Sequence, residues 1–496
     1  MRHLMGIDLG TSSVKVMIAD EKGNTKGIGQ VGYEVLTPAV GYAEQDPKTW
    51  WDAAVQAIGE VLKKSGVAAK DIAGISFSGQ MHGMVALDEE KNPVCPAIIH
   101  LDGRSLEEKK LITETAEDLM REELHNQPST GMVICSFLWM KRNCPQEYDR
   151  IRYVMSPKDY IRFRLTGEIC TDYSDASATL AFSVKKRTWC RELFARLDVK
   201  EDVWPPVRES CDVAGKVTGY AAAETGLAEG TPVITGAGDC FAAMIGNGIV
   251  KPGIMTCNIG TSSQIAVVTN RPMSDKKMQC QLWCHALSDT WALQGGALNG
   301  GNTLSWLKNK VLRDERPFAE IDREVLDVPA GSDGVFFLPY LAGERTPFNN
   351  PQAKGVYFGL SMKHSQPYVV RATMEGVMYN LLECKKIFDS LQIRGNFLIS
   401  SGGGAKGKAW KQIQADMLGM QVHTTRTQEE ACLGAVIMAA VGAGIYGSVY
   451  EACDAVVSMD GETVDPIPAN VSYYSEKLQI FDELYRSLEH MFLTYC

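Results

Sequence analysis

One tetrapeptide occurs twice in this chain of 496 residues, as Gly10-Thr11-Ser12-Ser13 and again as Gly260-Thr261-Ser262-Ser263. The offset is 250 residues, close to half the length. In so long a chain a four-residue identity arises readily by chance, so the surroundings carry the argument. Leu4 to Leu9 reads as a strand, the tetrapeptide as a tight turn and Val14 to Asp20 as a second strand. Lys22-Gly23-Asn24 then turns the chain into a third, antiparallel strand. Around the second copy, Gly253 to Ile259 and Gln264 to Thr269 repeat the strand–turn–strand pattern. The reading is two related α/β domains, residues 1–250 and 251–496, meeting near Lys251-Pro252-Gly253 across a cleft. The length agrees, being too great for one hydrophobic core.

Between these landmarks the local signals are ordinary. A helix is capped by Asp46, begins at Pro47, carries Trp50, Ala54, Ile58, Val61 and Leu62 on one face, and ends at Gly66. A strand over Ile72 to Phe77 follows, then the loop Ser78 to Gly83. Ala431 to Tyr446 is strongly apolar but Gly/Ala-rich and too short for a membrane span, which reads as a buried helix. The net charge is −10 and no dense Lys/Arg block occurs, which argues against a nucleic-acid partner. The 14 cysteines show no repeated spacing, and Cys280, Cys284 and His285 lack a second pair to complete a metal site. They read as structural thiols of a reducing compartment. The first residues reach Asp8 too soon for a signal-peptide core, so a cytoplasmic protein without a membrane partner is expected.

Four segments could carry chemistry. Asp8 ends a strand and enters Gly10-Thr11-Ser12-Ser13 with Lys15 beyond, a pattern suited to phosphate oxygens and a cation. A hairpin turn satisfying its own polar groups would look the same. Ser400-Ser401-Gly402-Gly403-Gly404-Ala405 lies between a strand, Phe397 to Ile399, and a helix carrying Trp410, Ile413 and Met417. Gly402 to Ala409 nearly matches a P-loop, but Ala409 stands where the hydroxyl is needed, which disfavours that class. Gly236-Ala237-Gly238-Asp239 sets a carboxylate at a glycine-lined strand end, either as a helix N-cap or as a proton acceptor. Gln80-Met81-His82-Gly83 offers an amide, a soft apolar group and an imidazole, a mixture suited to a sugar.

The order of these motifs resembles the FGGY carbohydrate kinase family, within it the xylulokinase branch. The resemblance runs from Leu4 to about Gly444. It includes Asp102-Gly103-Arg104-Ser105, Ser156-Pro157-Lys158-Asp159-Tyr160, Leu165-Thr166-Gly167-Glu168 and the run Phe337 to Pro347. It implies a duplicated ribonuclease H-like (actin-like ATPase) fold in which ATP and a small sugar meet in the interdomain cleft. Asp239 then matches the catalytic base, and Asp8, with Asp239, the Mg²⁺ site. Gln80, Met81, His82, Asp102, Arg104 and Cys240 match substrate positions. Gly10, Thr11, Ser12, Ser13, Lys15, Gly260, Thr261 and Ser262 match phosphate loops, and Gly402, Gly403, Gly404 and Ala405 the adenosine site. Four departures from the family pattern occur, two of which, Cys240 and Leu101, remove amides near the expected sugar site. Cys240 replaces an amide, His100-Leu101 replaces Trp-Asn, Ser136 replaces a Lys, and Tyr368 replaces a polar residue. D-xylulose is the expected acceptor, with L-ribulose, L-xylulose or a tetritol as alternatives. An ATP-driven switch and a non-catalytic sugar-binding regulator are the rivals from other classes, and a homodimer is left open.

Overall fold

The computed structural model describes residues 2–427 and 429–495, apart from the side chain of Asp460. Strands β1 (His3–Leu9), β2 (Ser13–Asp20) and β3 (Thr25–Gly32) form an antiparallel meander. Helix α1 (Pro47–Ser65) begins where Asp46 accepts the Lys48 N–H at 2.9 Å and stops at Gly66, whose φ of 66° suits a residue without Cβ. Strand β4 (Ile72–Gly79) then returns parallel to β1. These belong to a seven-stranded sheet completed by 213–216, 232–234 and a short pairing at 237–238. Helix α2 (Asp239–Gly246) leaves this sheet at its active end.

The second sheet repeats the plan. Strand β5 (Ile254–Ile259) runs antiparallel to β6 (Ser263–Thr269), which pairs with β8 (Trp291–Ala297), itself next to β7 (Gln281–Cys284). Strand β9 (Phe397–Gly402) lies parallel to β5, as β4 does to β1. The correspondence reaches single side chains. Asp8 accepts a hydrogen bond from Ser78 Oγ on β4 at 2.7 Å, and Asn258, 250 residues on, donates to Ser401 Oγ on β9 at 2.9 Å. The duplication thus keeps the geometry and leaves the carboxylate in the first sheet alone.

One feature locks the halves together, and a second secures the first half internally. Helix α3 (Glu430–Gly442) lies in the second half of the sequence but packs on the first sheet, where Val436, Ala439 and Ala440 meet Leu4, Met17 and Ala19. It crosses α2 backbone to backbone: a Cβ on Gly434 would sit 1.8 Å from the Ala242 carbonyl oxygen, and one on Gly246 1.9 Å from that of Glu430. Beneath β4, a second lock is ionic. Lys158, fully buried, places its ammonium 2.7, 2.8 and 2.9 Å from Asp159, Asp172 and Asp175, while Arg162 pairs with Asp159 at 2.7 Å. Burial opposes the charge of Lys158, and the carboxylates more than offset it, holding its ammonium protonated. Asp175 lies on the other side of that balance: burial, with Asp172 and Asp159 nearby, pushes it up to about 8 against the pull of Lys158.

The helix crossing generates a stability test. Gly434→Ala forces α2 and α3 apart, and overpacking of this kind costs about 1–3 kcal/mol. Urea denaturation should show a lower midpoint as the two helices are pushed apart. An unchanged midpoint would mean that the crossing tolerates a methyl group.

Candidate active site

Asp8 stands at the last turn of β1, opposite Lys15 on β2 and Ser78 on β4. Burial raises its carboxyl, while the Ser78 hydroxyl and the Lys15 charge pull it down. The turn that follows is tight: Gly10 N–H donates to Ser13 O at 3.0 Å, and the Tyr33 hydroxyl donates to Gly10 O at 2.5 Å. Thr11 and Ser12 keep side chains toward solvent, and Thr11 O receives the Gln45 amide at 2.8 Å. Lys15 reaches across to the second half of the chain and pairs with Glu429 at 2.6 Å.

Asp239 is the first residue of α2, with Gly238 at the cap position. The expected side-chain N-cap is therefore replaced by a carboxylate that accepts its neighbour's backbone N–H, from Cys240 at 2.7 Å. Gly238 N–H donates to Ser174 Oγ at 3.0 Å, and Ser174 is itself held by Asp172 of the buried ionic cluster. Burial, and then the charge of Asp8, push the Asp239 carboxyl up to about 7. The two carboxylates thus share one electrostatic site, although Asp8 and Asp239 are 231 positions apart in the sequence.

The loop after β4 brings two more groups to the same place. Met81 packs against Gly238, where a Cβ would lie 2.7 Å from Met81 Cγ. His82 adopts φ of 66°, a left-handed conformation uncommon for a side chain of its size. Its Nδ1 lies 2.7 Å from the Ala178 carbonyl, and burial lowers the imidazole to about 4. A neutral ring facing a carbonyl must donate from Nδ1, which leaves Nε2 as an acceptor. Trp283 of β7 covers the ring at 5.5 Å from the other sheet, and Arg345 and His100 lie close enough to lower His82 further.

Three residues matched to substrate positions have partners within the protein. Gln80 is 1% exposed and its amide donates inward to Gln45 Oε1 at 3.0 Å. Asp102 and Arg104 form an internal brace. Asp102 accepts Ala43 N–H at 2.7 Å, and Arg104 is held by Asp102 and Glu44 with its guanidinium 3.7 Å from the Tyr42 ring centre. The reason is desolvation: a buried guanidinium keeps its carboxylate partners. Ser136 is buried in a helix, and Tyr368 packs on His364 at the start of another.

The glycine loops border one cavity of about 830 Å³. Gly260 and Thr261 stand on one side, Gly403 and Gly404 on another, and Phe318 and Trp410 supply flat apolar surface. Gly260 and Thr261 accept from the N–H groups of Gly301 and Asn302 at 2.7 and 3.2 Å, and Ser262 O takes the Gly260 N–H at 2.9 Å. Gly402 needs its φ of 73°, since a Cβ there would meet Ile259 O at 2.8 Å, and Ala405 ends the following single turn. Lys406, Lys408 and Asn302 also line the cavity and were not singled out from the sequence. Lys408 was visible within the near P-loop, whereas Asn302 had no local signal. A flat pocket joined to two N–H-rich turns suits a purine nucleotide and its phosphates.

A divalent ion is compatible with these residues. Among the described residues no group of three or more His, Cys, Asp or Glu side chains is placed to hold a metal. Mg²⁺, however, commonly takes one or two carboxylates and completes its shell with water and substrate phosphate. Asp8 and Asp239 provide such a pair, and their mutual repulsion is what a cation would relieve.

Comparison with known proteins agrees with this geometry. Residues 3–246 match the N-terminal domain of the FGGY family of carbohydrate kinases, and residues 255–443 match its C-terminal domain. The xylulose kinase of Bacillus subtilis strain 168 is 32% identical over 485 residues, covering 98% of this chain and 97% of that protein. The gluconokinase of the same organism is 30% identical, covering 99% and 97%. The crystal structure of xylulose kinase from Rhodospirillum rubrum superposes with a TM-score of 0.92 at 29% identity, covering 99% of this chain and 100% of that one. No helix among the described residues is long and apolar enough to cross a membrane. The fold is the two-domain, actin-like ATPase fold of sugar kinases, and the chain belongs to the FGGY family of carbohydrate kinases.

Proposed function

We propose that this sugar kinase transfers the γ-phosphoryl group of ATP to a hydroxyl of a ketopentose, D-xylulose foremost, with Asp239 as the base. The observation that carries the reading is that Asp239 shares an electrostatic site with Asp8 while Met81, from the loop that bears His82, packs on Gly238 just before it. A carboxylate so placed stands between a phosphate turn and a sugar loop. The full-length similarity to a xylulose kinase supports the acceptor.

Phosphoryl transfer depends mainly on alignment and on neutralising charge. The N–H groups of the Gly10 and Gly260 turns would hold phosphate oxygens, and the 830 Å³ cavity the adenosine. Asp8 and Asp239 would hold Mg²⁺, which when bound supplies positive charge to the transferring phosphate. Asp239 would accept the hydroxyl proton as the oxygen attacks. His82 Nε2 would accept from a second hydroxyl, and Met81 would pack on the carbon skeleton. Lys15, now paired with Glu429, lies close enough to Asp8 to turn toward phosphate. A second reading, an acceptor bearing a carboxylate, is favoured by the similarity to a gluconokinase and by Arg345 facing His82 and His100.

Asp239→Asn keeps an acceptor for the Cys240 N–H, so thermal unfolding should shift little. Turnover should fall about 10²–10⁴-fold, the usual contribution of a positioned base. Near-wild-type turnover at saturating substrates would remove Asp239 from that role.

Asp8→Ala should raise the Mg²⁺ concentration needed for half-maximal turnover about tenfold or more while sugar affinity, read by calorimetry, changes less than about threefold. A large loss of sugar affinity with unchanged Mg²⁺ dependence would place Asp8 in the wrong site.

ADP release should be measured with D-xylulose, L-ribulose, L-xylulose, erythritol, gluconate and glycerol. D-xylulose should give the highest kcat/KM, and His82→Ala should lower it about ten- to a hundredfold through the hydroxyl left unpaired. A hundredfold preference for another acceptor would overturn the D-xylulose assignment and leave the kinase intact.

A further inference from the structure

Position 240, next to Asp239, is a cysteine, and a thiol is a weak partner for a sugar hydroxyl. The second sheet brings a stronger one to the same spot. Along β8 the side chains alternate. Trp291 and Leu293 enter the core of the second domain, whereas Ala292 faces the apolar cluster that contains Phe241 of α2. Gln294 shares the face of Ala292 one pleat further on, remains partly exposed, and lies close enough to Cys240, which packs on the same apolar cluster as Ala292, to pull its thiol down against burial. It is also held on its own sheet. Gln294 Nε2 donates to Gln264 Oε1 on β6, whose register places Ala266 opposite Gln294 and Gln264 opposite Gly296. That bond fixes the plane of the Gln294 amide and leaves its oxygen and second N–H for other partners.

The two residues after Gln294 are Gly295 and Gly296, so the next two positions of β8 carry no side chain. Gly295 is required by crowding on the opposite face, where a Cβ would come within 2.6 Å of Cys384 Sγ, while on the Gln294 face the Arg345 guanidinium lies over Gly296, its Nη2 3.1 Å from where a Cβ would sit. Gly296 O meanwhile accepts from Arg345 Nε at 3.2 Å. A small polyhydroxylated molecule beside Asp239 therefore meets a fixed amide on the second sheet, with the Arg345 guanidinium as its neighbour along the strand.

We propose that Gln294 is a specificity-determining residue of this kinase, hydrogen-bonding an acceptor hydroxyl close to the one that Asp239 deprotonates. The acceptor hydroxyl displaces the weaker Cys240 thiol from the amide. Because Asp239 leaves the first sheet and Gln294 projects from the second, the acceptor is read by both domains at once, and recognition depends on their being closed together. This inference rests on the ketopentose kinase reading above.

The test is steady-state kinetics on wild type, Gln294→Ala, Gln294→Glu and the double variant Cys240→Asn with Gln294→Ala, using the best acceptor of the panel. Gln294→Ala should lower kcat/KM for that acceptor about ten- to a hundredfold, while the KM for ATP and sugar-free ATP hydrolysis stay within about threefold. Adding Cys240→Asn should recover about tenfold, since an amide again reaches the hydroxyl from the neighbouring backbone. Gln294→Glu retains the size and keeps the test readable if the alanine variant is poorly folded; its acceptor kcat/KM should also fall about tenfold as donors are lost. Acceptor kcat/KM within threefold of wild type in both single variants overturns the inference. So does an equal loss of sugar-free hydrolysis, which would mark a structural role. A wild type that turns over no ketopentose overturns the underlying reading and this inference with it, a result distinct from an active wild type indifferent to Gln294.

Discussion

The close crossing of α2 and α3 sets the distances on which the site depends. Gly434 against the Ala242 carbonyl and Gly246 against that of Glu430 let two helix backbones touch, which side chains of any size would prevent. Through this contact a helix from the end of the second half packs on β1 and β4, and α2 is pressed into place beside them. Asp8 ends β1 and Asp239 begins α2, so the separation of the two carboxylates follows from how near those helices come. The shift of Asp239 toward about 7 is the electrostatic record of that nearness, with burial the larger cause and Asp8 the second.

The buried ionic cluster secures the opposite flank. Lys158 binds three carboxylates where no water reaches, an arrangement that is costly to form and more costly to break by removing one partner. Its members come from one helix start and the short segment 172–175, and it lies directly under Gly79, where a Cβ would strike Lys158 Cβ at 2.7 Å. Ser174 carries the connection to the Gly238 N–H. The loop bearing Met81 and His82 and the residue before Asp239 thus hang from the same charged knot, which fixes sugar loop and base relative to one another.

His82 shows how position converts a side chain into a defined hydrogen-bonding group. In water its imidazole would titrate near neutral pH. Here burial keeps it neutral, the Ala178 carbonyl takes the Nδ1 proton, and Trp283 from the other sheet holds the ring. What remains is a single outward acceptor. The positive φ at His82 belongs to the same constraint, since the backbone must turn sharply to aim the ring across the cleft.

Much of this was legible locally. The hairpins at Gly10 and Gly260, the capped helix from Pro47 and the buried helix near 431 follow from turn chemistry and residue periodicity, which act over a few residues. The duplication was legible too, because both copies keep the same strand–turn–strand grammar, and motif order along the chain pointed to Asp8, Asp239 and His82. Tertiary structure alone decided the rest. Gln80, Asp102 and Arg104 sit in motifs that suggested sugar contacts, yet burial turned them inward toward Gln45, Ala43 and Glu44. Conversely, Lys15 meets Glu429, His82 meets Trp283, and Cys240 meets Gln294, pairs that no spacing rule could join. Periodicity states which face of an element is buried but not which distant element covers it. That choice is made by the packing of two sheets and a crossing helix, through contacts between residues far apart in the chain.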